Sequence, residues 1–161
     1  MSLKDWLVQF KAQHERARAG TLSGDGLATY RAGRDEMARA LLGAQVAALK
    51  PGELPRQALR VARALQADIE WSVDRVRAVT QDLSVGGFSA LLAKAPPNDE
   101  DVKVELRLPG SEMLAARARV VGAIIQPAAV RVAFAFVGMG PAEKDRMEFL
   151  VFDTVLQQIK V

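Results

Sequence analysis

Cysteine is absent from this 161-residue chain, and His14 is its single histidine. Without cysteine there is no disulfide and no thiolate metal site. One imidazole is too few for a histidine metal cluster or for the usual Ser-His-Asp arrangement. Neither a nucleophile–base pair nor a phosphate-loop motif occurs elsewhere, so the chain is not expected to be an enzyme or to hold a metal or cofactor. Aromatic residues are scarce, at 6%, and most fall on helical stretches or expected core positions. Single-stranded nucleic-acid binders display aromatics beside basic residues, so a nucleic-acid-binding barrel is a disfavoured reading and DNA is not an expected partner. No apolar run approaches the ~20 residues that cross a bilayer. The opening Met1-Ser2-Leu3-Lys4-Asp5-Trp6 carries a charge pair and then an amphipathic pattern, unlike a secretory signal. These absences point to the cytoplasm, with no membrane insertion.

What remains has the balance of a soluble globular protein: 50% apolar and 25% charged residues, with a net charge of +3. Up to about residue 50 the period is helical. Leu3, Trp6, Leu7, Phe10, His14 and Ala17 recur at helical spacing, with His14 expected to be a packing residue on that stripe. Gly20 to Gly26 is rich in turn residues. Leu27, Tyr30, Arg34, Met37, Leu41 and Ala48 then mark a second helix, so residues 1–50 read as a helical hairpin. Lys50-Pro51-Gly52-Glu53-Leu54-Pro55 stops the helix and favours extended chain.

Beyond the linker the period becomes alternating. Leu65-Ala67-Ile69-Trp71, Val76-Ala78-Thr80, Phe88-Ala90-Leu92, Val102-Val104-Leu106-Leu108, Leu114-Ala116-Ala118-Val120 and Val130-Val132-Phe134-Phe136 mark six strands, with turns at Pro109-Gly110 and Gln126-Pro127. Short strands separated by turn signals predict an antiparallel barrel. Asp99, Glu100 and Asp101 lie in a proline-rich loop, a solvated run without a calcium-loop frame. Pro141 opens a last helix running to about Lys160. That helix is apolar on two faces. One barrel cannot bury both, so the second is expected to meet the N-terminal hairpin or another subunit. The fold expected is mainly β: a six-stranded antiparallel barrel with a C-terminal helix over 51–161, preceded by the 1–50 hairpin.

Two short motifs carry the chemistry. Arg56-Gln57-Ala58-Leu59-Arg60 places two guanidinium forks just before the first strand. Asp82-Leu83-Ser84-Val85-Gly86-Gly87 is an Asx/Ser turn closed by glycines, with 21 residues between Arg60 and Asp82. Arginine forks to guanine and to phosphate alike. Each motif alone is ordinary: an arginine pair is usually a solvated face, and the second is common turn chemistry. Their order and spacing, with barrel strands following, resemble the PilZ domain, a bacterial receptor for cyclic di-GMP with the pattern RxxxR and then (D/N)xSxxG. The resemblance covers residues 55–160 and not the hairpin.

It implies a ligand site of Arg56, Arg60, Asp82, Ser84 and Gly87, with Gly86 as a turn residue. The arginines would hold guanine and phosphate, Asp82 would accept from guanine N1–H and N2–H₂, and Ser84 would cap the turn or donate to the ligand. Pro55 stands where many members carry a further basic residue, which leaves one ligand molecule or a pair open. Arg117, Arg119 and Arg131 alternate with apolar neighbours and read as outward-facing residues. The function implied is a cyclic di-GMP effector acting through a ligand-ordered linker on a protein partner, in motility, pili, adhesion or exopolysaccharide control. The alternative is a PilZ-like interaction module that does not bind the nucleotide.

Overall fold

The computed structural model describes residues 1–51, 58–72 and 74–159. The chain divides into two compact units, one of Met1–Leu59 with Phe152–Val161 and one of Arg60–Val151.

The first unit is helical. Helix α1 spans Leu3–Arg18. Ser2 caps it reciprocally: its hydroxyl accepts the Asp5 N–H at 3.1 Å, and the Asp5 carboxylate accepts the Ser2 N–H at 3.3 Å. Helix α2 spans Gly24–Ala47, so Gly24, Asp25 and Gly26, expected in the turn, form its first turn instead. The third participant is the end of α3, Pro141–Gln158, from Phe152 onward. Phe10 is the centre. Its ring stacks on Trp6 at 5.2 Å and on Tyr30 at 5.5 Å, and meets Phe152 edge-on at 6.5 Å. Fully buried side chains of this size contribute roughly 1.5–3 kcal/mol each.

Beside the rings lies a buried polar group. His14 is 1% exposed. An ionised carboxylate can only accept, so His14 Nε2–H donates to Asp153 Oδ1 at 3.2 Å, and the Tyr30 hydroxyl donates to Nδ1 at 2.7 Å. Arg18 pairs with the same Asp153, and Gln157 Nε2 donates to its other oxygen at 3.2 Å. Burial holds the His14 imidazole below its ordinary pKa, against the hydrogen bond and charge of Asp153. The expectation of a packed histidine agrees with this placement.

The second unit is a barrel of strands β1 (Val61–Ala62), β2 (Gln66–Trp71), β3 (Asp74–Ser84), β4 (Gly87–Leu92), β5 (Val102–Leu106), β6 (Leu114–Ile125) and β7 (Val130–Val137). All pairings are antiparallel. They run β3-β2-β5-β6-β7-β4 and close by pairing β4 with β3, giving six strands without a free edge. The two-residue β1 lies on the same edge of β3 as β2. It pairs with Leu83 and Asp82, whereas β2 pairs with Asp74–Val79. Between them Thr80 stitches the break. Its N–H donates to the Leu65 carbonyl, and its hydroxyl accepts the Leu65 N–H at 2.8 Å and donates to the Arg63 carbonyl at 2.7 Å.

Alternation places Ala67, Ile69, Val102, Val104, Leu106, Phe88 and Phe134 inside, with Phe88 stacked on Phe134 at 4.8 Å. Strand β6 continues past the expected Val120 to Ile125 through a bulge at Val120/Gly122, and Val121, Ile124 and Ile125 stay exposed. Strand β5 ends at Leu106, and Leu108 is buried after it. The first part of α3 belongs to this unit. Arg146 ties it to Ser111 Oγ at 3.1 Å and to the Glu112 carbonyl. Residues Leu150 to Leu156 are all buried. Among the described residues, no helix is long and apolar enough to cross a membrane.

Candidate functional site

The strand pairing brings Arg60, the end of the first motif, beside the second. Arg60 directly precedes β1, and β1 pairs with Asp82 and Leu83, so 21 intervening residues fold into a contact. Arg60 Nε lies 3.9 Å from Asp82 Oδ1. A register shift in β3 between Thr80 and Asp82 turns the following residues outward in a new phase. Leu83 is then fully buried while Asp82 and Ser84 face out.

Asp82 is the hub. The Ser89 hydroxyl, on β4 directly opposite, donates to its Oδ1 at 2.9 Å. Arg131 Nη2, on β7, donates to its Oδ2 at 3.0 Å. Two guanidinium groups and a hydroxyl thus converge on one partly buried carboxylate. The side chains of Arg60 and Arg131 remain 44% and 40% exposed, while Asp82 is 17% exposed. The arginines can therefore reach a ligand from the outer face. Beyond Asp82 the outward positions of β4 and β7 are small. Ser89 pairs with Ala133, and Gly87 with Ala135, which leads to Arg119 on β6. Arg119 is held by Asp101 at 2.7 Å. A flat ring can lie against such a floor without displacing a large side chain.

Ser84 caps the motif turn. Its hydroxyl accepts the Gly86 N–H at 3.2 Å and donates to the Gly87 carbonyl at 3.4 Å. The two glycines serve different needs. Neither has a positive φ. A Cβ on Gly87 would sit 2.0 Å from the Phe134 carbonyl oxygen, so Gly87 is required by the close approach of β7. A Cβ on Gly86 would meet nothing nearer than 3.9 Å. The steric demand at Gly87 is thus internal to the barrel rather than made by a ligand.

Of the six residues singled out from the sequence, Arg60, Asp82, Ser84, Gly86 and Gly87 lie on one stretch of the barrel, with Gly87 buried in its wall. Arg56 lies outside the described residues. Arg60 directly precedes β1, nearer the barrel wall than a linker position implies. Ser89 stands outside both motifs, and Arg131 reads from the sequence as a plain outward residue. The signal for both is cross-strand register with Asp82, which requires the topology. A separate cleft of about 380 Å³ is lined by Lys103, Glu105, Arg117 and Glu143 among others. Its opposed charges balance, and it shares no lining residue with the Asp82 cluster. Among the described residues, no group of three or more histidines or carboxylates is placed to hold a metal ion.

The site thus sits on a closed six-stranded antiparallel barrel, with arginines converging on an Asp-x-Ser-x-x-Gly turn. The sequence matches the PilZ domain over residues 55–153, and the chain belongs to the PilZ family. No curated protein matches the sequence. Among solved structures, the Bacillus subtilis inhibitor of motility MotI/DgrA is similar with a TM-score of 0.59 and 17% identity, over 66% of this chain and 54% of that one. The PilZ domain of Escherichia coli YcgR with c-di-GMP gives 0.53 and 17%, over 65% and 94%. The K. pneumonia MrkH–c-di-GMP complex gives 0.56 and 16%, over 65% and 54%. At these identities the likeness is one of fold. The chain spans about half the length of MotI/DgrA and of MrkH.

Proposed function

We propose that this chain is a cytoplasmic cyclic di-GMP receptor that binds the nucleotide on the outer face of its barrel and passes the signal to a protein partner. The carrying observation is the convergence of Arg60, Arg131 and Ser89 on Asp82, with Ser84, Gly86 and Gly87 in the adjoining turn. Such a surface supplies planar cations for phosphate and base and a carboxylate for guanine N–H groups. The c-di-GMP complexes of the YcgR PilZ domain and of MrkH, which share this fold, support the reading.

The ligand must loosen the existing ion pairs. These pairs are partly buried, so the ligand's own bonds to the arginines and the carboxylate must replace the ones it loosens. Arg56 completes the arginine pair from the segment before Arg60, and ordering that segment costs roughly 1–2 kcal/mol per residue fixed. This coupling is the route by which binding changes what the helices and linker offer a partner, whether another protein or a second copy. The process controlled would be motility, pili, adhesion or exopolysaccharide. No catalytic step is assigned.

Calorimetry on the whole chain tests the reading. Cyclic di-GMP should bind with micromolar or tighter affinity, and Arg60→Ala should weaken binding by about tenfold or more. No heat at high ligand concentration would reject it in favour of an interaction module that does not use the nucleotide.

A further inference from the structure

We propose that Arg131 is a base-specifying residue of the ligand site, donating to guanine O6 while Asp82 accepts from N1–H and N2–H₂. The inference rests on the cyclic di-GMP reading above and adds a residue that neither motif contains. Three observations carry it. Arg131 Nη2 donates to Asp82 Oδ2 at 3.0 Å, which places the guanidinium next to the carboxylate. Asp82 is fixed by Ser89 on its other oxygen, which orients the carboxylate plane. Arg131 is still 40% exposed, and a guanidinium carries five N–H donors, of which the contact with Asp82 uses one.

The Watson–Crick edge of guanine presents an acceptor, O6, immediately beside two donors, N1–H and N2–H₂. An arginine next to a carboxylate presents the complementary order. Adenine offers a donor, N6–H₂, beside an acceptor, N1. Placed the same way, it would set its amino group against Arg131 and a lone pair against Asp82. Turned over, it could meet both groups, but its ribose would then leave in the opposite direction. The pair therefore reads guanine by the order of its groups. A carboxylate has about four acceptor sites, so Asp82 can take guanine N–H groups while retaining Ser89.

A double-mutant cycle between protein and ligand separates this role from mere support of Asp82. The probes are cyclic di-GMP and its 6-thio analogue, which keeps N1–H and N2–H₂ but replaces O6 by a weak acceptor. Both are titrated into the wild-type chain, Arg131→Met and Arg131→Lys. Wild type should bind the thio analogue about 10- to 100-fold more weakly than cyclic di-GMP. Arg131→Met should bind cyclic di-GMP weaker by a similar factor and treat the two ligands alike within about twofold. Arg131→Lys keeps the charge on β7 without the fork and should fall between.

If Arg131→Met binds cyclic di-GMP like wild type, or keeps the full thio penalty, Arg131 does not touch O6 and the inference is overturned alone. If wild type binds no cyclic di-GMP, the underlying reading fails and this one with it.

Discussion

At Gly87 a single methyl group would meet the Phe134 carbonyl oxygen at 2.0 Å, while at neighbouring Gly86 the space is open. The contact at Gly87 is with backbone of β7, which cannot swing aside like a side chain. Gly87→Ala should therefore destabilise the chain by roughly 1–3 kcal/mol or more, and Gly86→Ala by no more than about 0.5 kcal/mol. Urea denaturation of the two variants checks this, and equal effects would contradict the packing account. The contrast bears on the site: ligand affinity lost at Gly87 would come through displaced strands, not through a lost contact. Residue-scale chemistry was partly legible in sequence. Asp82, Ser84 and Gly87 occupy a spaced pattern, whereas Arg131 looks like any outward arginine until β7 is set beside β4.

Strand β1 shows what an element owes to one side chain. Two residues cannot sustain a period, and the break before β2 leaves backbone groups that Thr80 satisfies through both roles of its hydroxyl. Thr80→Val keeps the shape and loses both hydrogen bonds. It should cost roughly 1–3 kcal/mol, and it should weaken ligand binding because Arg60 is carried by β1. A variant of wild-type stability and affinity would show that the break needs no such stitch.

The helical unit carries a different dependence. His14 has a folded-state pKa below its unfolded value of about 6.5, chiefly through burial. Between those two values the unfolded chain binds more protons, so stability rises with pH through that window. It is fully present above about 6.5 and is lost as pH falls towards the folded value. The Asp153 hydrogen bond narrows the window without closing it. Denaturation followed by Trp6 fluorescence, in a Trp71→Phe background, should show lower stability at pH 5.5 than at 7.5, and His14→Gln should flatten that difference. Glu100 acts in a separate, lower range: hydrogen bonds from Ser72 hold its carboxylate below 4.5, so its contribution disappears only in stronger acid.

For the whole molecule, the layers were readable because burial enforces period. Val102, Val104 and Leu106 alternate in sequence and point into the barrel. Two apolar faces on α3 signalled a second packing surface, and Phe152 meets Phe10 there. What could not be read depends on partners chosen by topology. The apolar end of β6, Val121 to Ile125, looks like core and is exposed. Asp25 and Gly26 look like turn and are helix, because α2 starts at Gly24. The Asp82 cluster draws on β1, β3, β4 and β7, and only barrel closure brings all four together.

The most direct measurement is a cyclic di-GMP titration followed by backbone amide NMR. Binding on this face should move the resonances of Arg60, of Asp82 to Ser89 and of Arg131 to Ala135, while the strands around Lys103 and Glu105 stay in place. Unchanged spectra at millimolar ligand, or shifts confined to the cleft of Lys103, Arg117 and Glu143, would contradict it.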